Sequence, residues 1–160
     1  MDQMNHLYNK DDSPRNLAPE ELQVGMACAA LFYEDNVWYR AEIIALHGEK
    51  VEVCFVDYGN VQTTPVSEVK VMEKELLELP RQAICCSLTG MEPIGGDEYD
   101  KASCSRFEEL VSYDNSKQFV IRVDGVEGKR ADVSLKDGDR DIAQVLLDGG
   151  YAKKVSLTAL

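Results

Sequence analysis

Between residues 26 and 72 the sequence is cut into five short strand-like runs by turns of only a few residues, so hairpins are the connection on offer. The runs cover 26–33, 38–46, 50–57, 61–66 and 69–72, with breaks at Glu34-Asp35-Asn36, His47-Gly48-Glu49 and Tyr58-Gly59-Asn60. A parallel pair would need a crossover of a dozen or more residues, so these strands are expected to pair antiparallel, and runs this short suit a small barrel. In the third run Val51, Val53 and Phe55 alternate with Lys50, Glu52 and Cys54, the period of a strand with one buried face.

The flanks read differently. Residues 1–19 hold a short helix over 2–8 and then the linker chemistry of Asn9-Lys10-Asp11-Asp12-Ser13-Pro14-Arg15-Asn16. The first compact unit is expected over 20–80, with a helical turn over 73–79 that Pro80 stops. A second unit, 81–160, reads as a strand over 83–88, a loop through Met91-Glu92-Pro93-Ile94-Gly95-Gly96 and a helix over 98–111 that brings Ala102, Phe107, Leu110 and Val111 near one face. Strands over 118–123 and 129–135 and a helix over 141–147, closed by Gly149-Gly150, complete it. The chain is thus mainly β with minor α. The order strand, helix, strand, strand, helix makes a partly open barrel of the oligonucleotide/oligosaccharide-binding (OB) type only if further strands are supplied.

Twenty-nine acidic residues against seventeen basic ones give a net charge of −12, which opposes binding to phosphate backbones and favours cationic segments of other proteins. Direct nucleic-acid binding is therefore not expected. No run approaches the ~20 apolar residues of a membrane span, and the start, Met1-Asp2-Gln3-Met4-Asn5-His6, lacks a secretory pattern, so the chain reads as intracellular with no membrane partner. Cys28, Cys54, Cys85, Cys86 and Cys104 include no C-x-x-C pair, and four of them lie in apolar runs, where they are expected as core residues. With only His6 and His47 as histidines, neither a zinc site nor a Cys/His nucleophile is expected, and no cofactor is implied.

Six of the twelve aromatic residues, Phe32, Tyr33, Trp38, Tyr39, Phe55 and Tyr58, lie near strand ends in the first unit, where closing a short sheet brings several rings to one mouth. Periodicity alone makes Phe55 a core residue, and Trp38 is read as core. Two segments here, Phe32-Tyr33-Glu34-Asp35-Asn36-Val37-Trp38-Tyr39-Arg40-Ala41 and Val53-Cys54-Phe55-Val56-Asp57-Tyr58-Gly59-Asn60, resemble the hallmark of Tudor domains, and Leu79-Pro80-Arg81-Gln82-Ala83-Ile84-Cys85-Cys86 resembles the extended Tudor subtype. The resemblance covers nearly everything after residue 20.

It implies an SH3-like Tudor barrel joined to, and packed on by, a partial OB or staphylococcal-nuclease-like module. It implies further that the module's first OB strands are drawn from sequence before the barrel, so the second unit would expose an unpaired edge. By the same resemblance, a cage of Phe32, Tyr39, Phe55 and Tyr58, with Asn60 as its polar member, takes a symmetrically dimethylated arginine from an arginine-glycine-rich tail of a Piwi-family protein. Tyr33 is the alternative to Phe32, one residue along. Arg40 and Asp57, on neighbouring runs, are expected to pair in a supporting role. The role implied is a scaffold or adaptor of the piRNA pathway in cytoplasmic, germline perinuclear granules (nuage), not an enzyme; the oligomeric state stays open. Two other functions stay open: a module for unmethylated or otherwise modified peptides, and an OB-type binder or nuclease of single-stranded RNA. The nuclease reading lacks a carboxylate motif, because Asp124, Asp132 and Asp137 fall in turn-like positions. Twelve acidic against four basic side chains over 20–80, among them Glu34, Asp35, Glu42, Glu49 and Glu52, suit the steering of a basic peptide.

Overall fold

The computed structural model describes residues 2–112 and 117–155. The chain divides into two units, Met1–Ile84 and Cys85–Leu160. In the first, strands β1 (Ala27–Phe32), β2 (Val37–His47), β3 (Lys50–Phe55), β4 (Val61–Pro65) and β5 (Val69–Val71) form one antiparallel sheet in the order β4-β3-β2-β1-β5. Each strand starts or stops within two residues of the turn signals that delimit it. Gly48 (φ 67°) and Gly59 (φ 89°) take the left-handed conformation at the tips of two of those turns.

The strand period sorts side chains to two faces. Cys28 and Ala30 of β1, Ala41 and Ile43 of β2, and Val51, Val53 and Phe55 of β3 share one core with Val66 and Val69. On the other face Ala29 and Trp38 pack with Met72 and with Met4 and Tyr8 of helix α1 (Asp2–Tyr8). Tyr8 stacks on Trp38 at 5.8 Å between ring centroids, and its hydroxyl donates to the Val71 carbonyl (2.8 Å) and accepts from Glu73 N–H (3.1 Å).

Backbone pairing ends at β4 and β5, so the barrel anticipated from the turns is not closed by its ladder. Pro65, the last residue of β4, has no N–H to give, and the short 3-10 turn Val66–Glu68 carries the chain to β5 instead. A side chain spans part of the remaining distance. Buried Gln62 of β4 donates from Nε2 to the Leu31 carbonyl (2.9 Å) and accepts the Tyr33 N–H at Oε1 (3.2 Å), tying β4 to the far end of β1.

In the second unit β9 (Arg130–Asp137) is the centre of a four-stranded sheet, antiparallel to β8 (Phe119–Glu127) and β10 (Arg140–Asp141) and parallel to β6 (Cys85–Leu88). This sheet is open as well. Helices α2 (Lys101–Val111) and α3 (Ile142–Asp148) are capped by Asp100 and Asp141, whose carboxylates accept the Ser103 and Gln144 N–H groups, and bury Leu110, Ile142 and Leu146 together. Among the described residues β8 pairs with β9 alone, and its Val120, Ile121, Val123 and Val126 are each at least 60% exposed.

Three expectations need correction. Met91–Glu92, read as loop, is a two-residue strand, β7, paired with β11 (Lys153–Lys154); a strand that short has no period to recognise. Only Cys28 is buried, while Cys85, Cys86 and Cys104 are exposed, because the second unit leaves much of its apolar sequence uncovered. Asp124 lies within β8, and Asp132 and Asp137 within β9, rather than in turns.

Candidate functional site

Three of the aromatic side chains named from the sequence project from the face that carries the larger core, at one end of the sheet. Phe32 is the last residue of β1, Tyr39 stands near the start of β2, and Phe55 ends β3. The turn after β3 adds Tyr58 and Asn60. Its shape is set by Tyr58 and Gly59 N–H groups that both donate to the Phe55 carbonyl (3.1 and 2.7 Å) and by Phe55 N–H, which donates to the Asn60 carbonyl (2.9 Å).

The rings meet edge to face. Phe32 and Tyr39 are 6.2 Å apart at 80°, Phe32 and Phe55 5.4 Å at 77°, Tyr39 and Phe55 6.0 Å at 81°, and Tyr39 and Tyr58 5.4 Å at 85°. Phe32, Tyr39, Phe55, Tyr58 and Asn60 line a cavity of about 200 Å³. Tyr33 is not among them; its ring lies tilted against Phe32 at 5.3 Å, and it is 66% exposed. A cavity of this size is below the ~300–1,000 Å³ of sites for drug-sized ligands and fits a single side-chain head group better than a cofactor. Aromatic π faces attract a cation that has shed its water, so a cavity lined by four rings suits a cationic head group.

Phe55 is 2% exposed and forms the floor, so it serves core and cavity together, whereas Tyr58 is 54% exposed and stands as an outer wall. The Tyr39 hydroxyl donates to Asp35 Oδ2 at 2.8 Å, and that bond, with lesser help from burial and from the carboxylate's charge, pushes the phenol up to about 12. The Tyr39 ring therefore stays neutral across any physiological pH. From sequence alone Asp35 is a turn residue within the motif and one member of an acidic field, with no role in the site. The signal that could have marked it is its place in a three-residue turn, two residues before a strand and four before a tyrosine.

Arg40 and Asp57 form an ion pair beside the turn, through Nε to Oδ2 (2.8 Å) and Nη2 to Oδ1 (2.5 Å). Arg40 is only 9% exposed, and its remaining N–H groups donate to the carbonyls of Leu76 (2.7 Å), Leu79 (2.5 Å) and Pro80 (3.1 Å). The hydrogen bond from Arg40 holds the Asp57 carboxyl below the usual carboxylate range, and Asp57 Oδ1 also accepts the Gln82 N–H at 3.3 Å. Ala83 N–H donates to the Val56 carbonyl (3.0 Å), so residues 79–83 lie along the back of the turn that carries Tyr58 and Asn60.

In the second unit the Asp124 carboxylate is already committed. Asp124 accepts hydroxyl bonds from Ser134 (2.5 Å) and Thr89 (2.7 Å) and a guanidinium bond from Arg122 (2.7 Å), which together hold it at about 2. Among the described residues no three His, Cys, Asp or Glu side chains are grouped to hold a metal ion. A larger cavity of about 430 Å³ in the second unit is walled mainly by apolar side chains such as Leu88, Met91, Phe107 and Leu146. It is the roomier of the two, but it is an open recess whose apolar side chains pack around Leu110 and Ile142, and among the described residues it offers no set of paired rings for a charged head group.

The Tudor domain family model matches residues 1–90. Tudor domain-containing protein 1 of Danio rerio is 36% identical over 137 residues, which are 85% of this chain and 11% of that protein. The human protein of the same name is 30% identical over 149 residues, 91% of this chain and 12% of its own length. The chain thus spans about a tenth of the curated relatives it matches. Among solved structures, the extended Tudor domain TD3 of mouse TDRD1, in complex with a MILI peptide containing dimethylarginine 45, superposes with a TM-score of 0.84 at 24% identity over 97% of this chain and 78% of that one. The human TDRD1 extended Tudor domain, in complex with a symmetrically dimethylated peptide, does so with 0.81 at 28% over 96% and 75%. The BmPAPI domain in complex with sDMA (symmetric dimethylarginine) gives 0.83 at 27% over 94% and 82%. With a family match over more than half of its length and this fold throughout, the chain belongs to the Tudor domain family and has the architecture of an extended Tudor domain.

Proposed function

We propose that this chain is a binding module that takes a symmetrically dimethylated arginine of an arginine-glycine-rich peptide into the cavity formed by Phe32, Tyr39, Phe55, Tyr58 and Asn60. The observation that carries the reading is the set of near-perpendicular rings around a space sized for one head group. Dimethylation keeps the charge of arginine, removes N–H donors and adds apolar surface, so the cation is cheaper to desolvate and is better matched by rings than by carboxylates. Asn60 supplies a polar side chain at the lining and is assigned to a remaining guanidinium N–H.

Support comes also from what the solved relatives hold: human TDRD1 a symmetrically dimethylated peptide, and BmPAPI sDMA itself. On this reading the chain acts as an adaptor and not as a catalyst, the Arg40–Asp57 pair braces the turn behind the cage, and the partner is the tail of a Piwi-family protein. The setting is the piRNA pathway in cytoplasmic germline granules. Each ring contributes ~0.5–2 kcal/mol against the cost of ordering a flexible peptide, which places a single site at roughly micromolar to tens of micromolar affinity.

The test is a calorimetric titration with one arginine-glycine peptide in unmodified, symmetrically dimethylated and asymmetrically dimethylated forms. The symmetric form is expected to bind tightest. Equal affinity for all three removes methyl recognition and leaves a general peptide-binding module, while tighter binding of single-stranded RNA than of any peptide points to an OB-type function.

A further inference from the structure

Asp35 belongs to the turn between β1 and β2 and is not among the residues that line the cage cavity. Both of its carboxylate oxygens are nonetheless committed. Oδ1 accepts the Val37 N–H at 2.9 Å, which fixes the carboxylate to the first residue of β2, and Oδ2 accepts the Tyr39 hydroxyl at 2.8 Å. The turn beneath it is itself held, with Asn36 in the left-handed region (φ 55°) and its N–H donating to the Phe32 carbonyl at 2.9 Å. Asp35 therefore links the backbone of the hairpin to the tip of one ring.

That ring is the one the rest of the cage is built on. Tyr39 contacts all three of the other rings, Phe32, Phe55 and Tyr58, each near a right angle. A tyrosine hydroxyl lies on the axis about which the ring spins, so anchoring it fixes the χ1 rotamer and the direction of the ring's long axis, while the edge-to-face neighbours set the ring plane. If the long axis of Tyr39 swung to another rotamer, its edge-to-face contacts with the other three would be lost together.

Resting on the methylarginine reading above, we propose that Asp35 is a positioning residue: it holds the long axis of the Tyr39 ring in place and thereby the shape of the cage, and it does not serve as a countercharge to the guest. The arrangement favours positioning because each oxygen is already engaged by a donor of the hairpin itself. An asparagine there keeps both contacts, its oxygen accepting the Val37 N–H and its amide N–H donating to the phenolic oxygen, while alanine keeps neither.

The experiment measures affinity for a symmetrically dimethylated arginine-glycine peptide with the wild type, Asp35→Asn, Asp35→Ala, Tyr39→Phe, the Asp35→Ala/Tyr39→Phe double variant and Tyr58→Ala. Asp35→Ala and Tyr39→Phe are each expected to weaken binding by about tenfold, the worth of one hydrogen bond to a charged group. Asp35→Asn is expected to stay within about threefold of wild type, and the double variant to be no weaker than either single one, because both remove the same anchor. In the absence of peptide, ultraviolet titration of Asp35→Ala is expected to show one tyrosine ionising at lower pH than in the wild type. Tyr39→Phe leaves the turn carboxylate in place and covers the case in which Asp35→Ala does not fold. Wild-type affinity in Tyr39→Phe, equal losses in Asp35→Asn and Asp35→Ala, or additive losses in the double variant would each overturn the positioning role. If Tyr58→Ala binds as the wild type does, the cage reading falls and this role with it; if Tyr58→Ala is weakened and Tyr39→Phe is not, the positioning role alone falls.

Discussion

Phe55 is the floor of the cavity and a member of the barrel core, and these two duties separate under mutation from the single duty of Tyr58. Phe55→Ala is expected to lower stability by ~3–5 kcal/mol, the range for emptying a buried aromatic site, and to weaken peptide binding as well. Tyr58→Ala is expected to weaken binding by ~1–3 kcal/mol while leaving the thermal midpoint near that of the wild type, since half of its surface already faces water. Calorimetry and thermal unfolding of the two variants, side by side, check both halves. At this scale the sequence was partly legible. The alternation through Val51, Val53 and Phe55 marks Phe55 as buried, and only the motif around it marks it as a wall. Asp35 was not legible, because a turn acid looks the same whether it faces solvent or holds a ring.

β2 places Trp38 and Arg40 on the face opposite Tyr39, Ala41 and Ile43, so one strand serves the helix packing, the connector and the cavity in alternate residues. Arg40 uses its whole fork, on the Asp57 carboxylate and on three carbonyls of residues 76–80, which lysine, with one point of charge, could not span. Arg40→Lys is accordingly expected to lower the unfolding midpoint, and Arg40→Ala to lower it further by leaving Asp57 half-buried and without its ion-pair partner; denaturant melts report the order. The pH dependence has a definite sign. The Asp57 carboxyl is held below its ordinary value in the folded chain, so its contribution is full above the ordinary carboxylate range and is lost as pH falls through the lowered value. Acid melts of wild type and Asp57→Asn should therefore converge at low pH, and a gap that persists there would show that Asp57 contributes by packing alone. The cross-strand pairing was legible from strand adjacency. The carbonyl acceptors were not, because the path of a connector without periodicity is fixed only by tertiary contacts, and the same holds for the reach of Gln62 from β4 to β1.

For the whole chain, the most consequential surface is the edge of β8 that no described residue pairs, where Val120, Ile121, Val123 and Val126 stand exposed. An apolar, unpaired strand edge is a template for further strands, so the isolated chain is expected to self-associate with rising concentration, and Val123→Lys with Val120→Lys to suppress this. Sedimentation velocity across a concentration series checks it; a monomer at every concentration would mean that the edge is protected by other means. The net charge of −12 supplies long-range repulsion that opposes this association at low salt. Strand positions in this unit were legible to within a few residues, yet their burial was not. A periodic strand predicts which side chains share a face, but whether that face is covered depends on a neighbour the strand itself does not encode.

All five residues around the small cavity lie between positions 32 and 60, inside one unit and on consecutive strands and turns. The parts of the cavity are therefore close in sequence and cheap to bring together. Repeating along one polypeptide the whole first unit, whose Cys28, Val66 and Val69 are needed to complete the core beneath Phe55, would multiply low-affinity grips. A tail carrying several modified arginines could then be held by avidity, even where each grip alone lets go quickly.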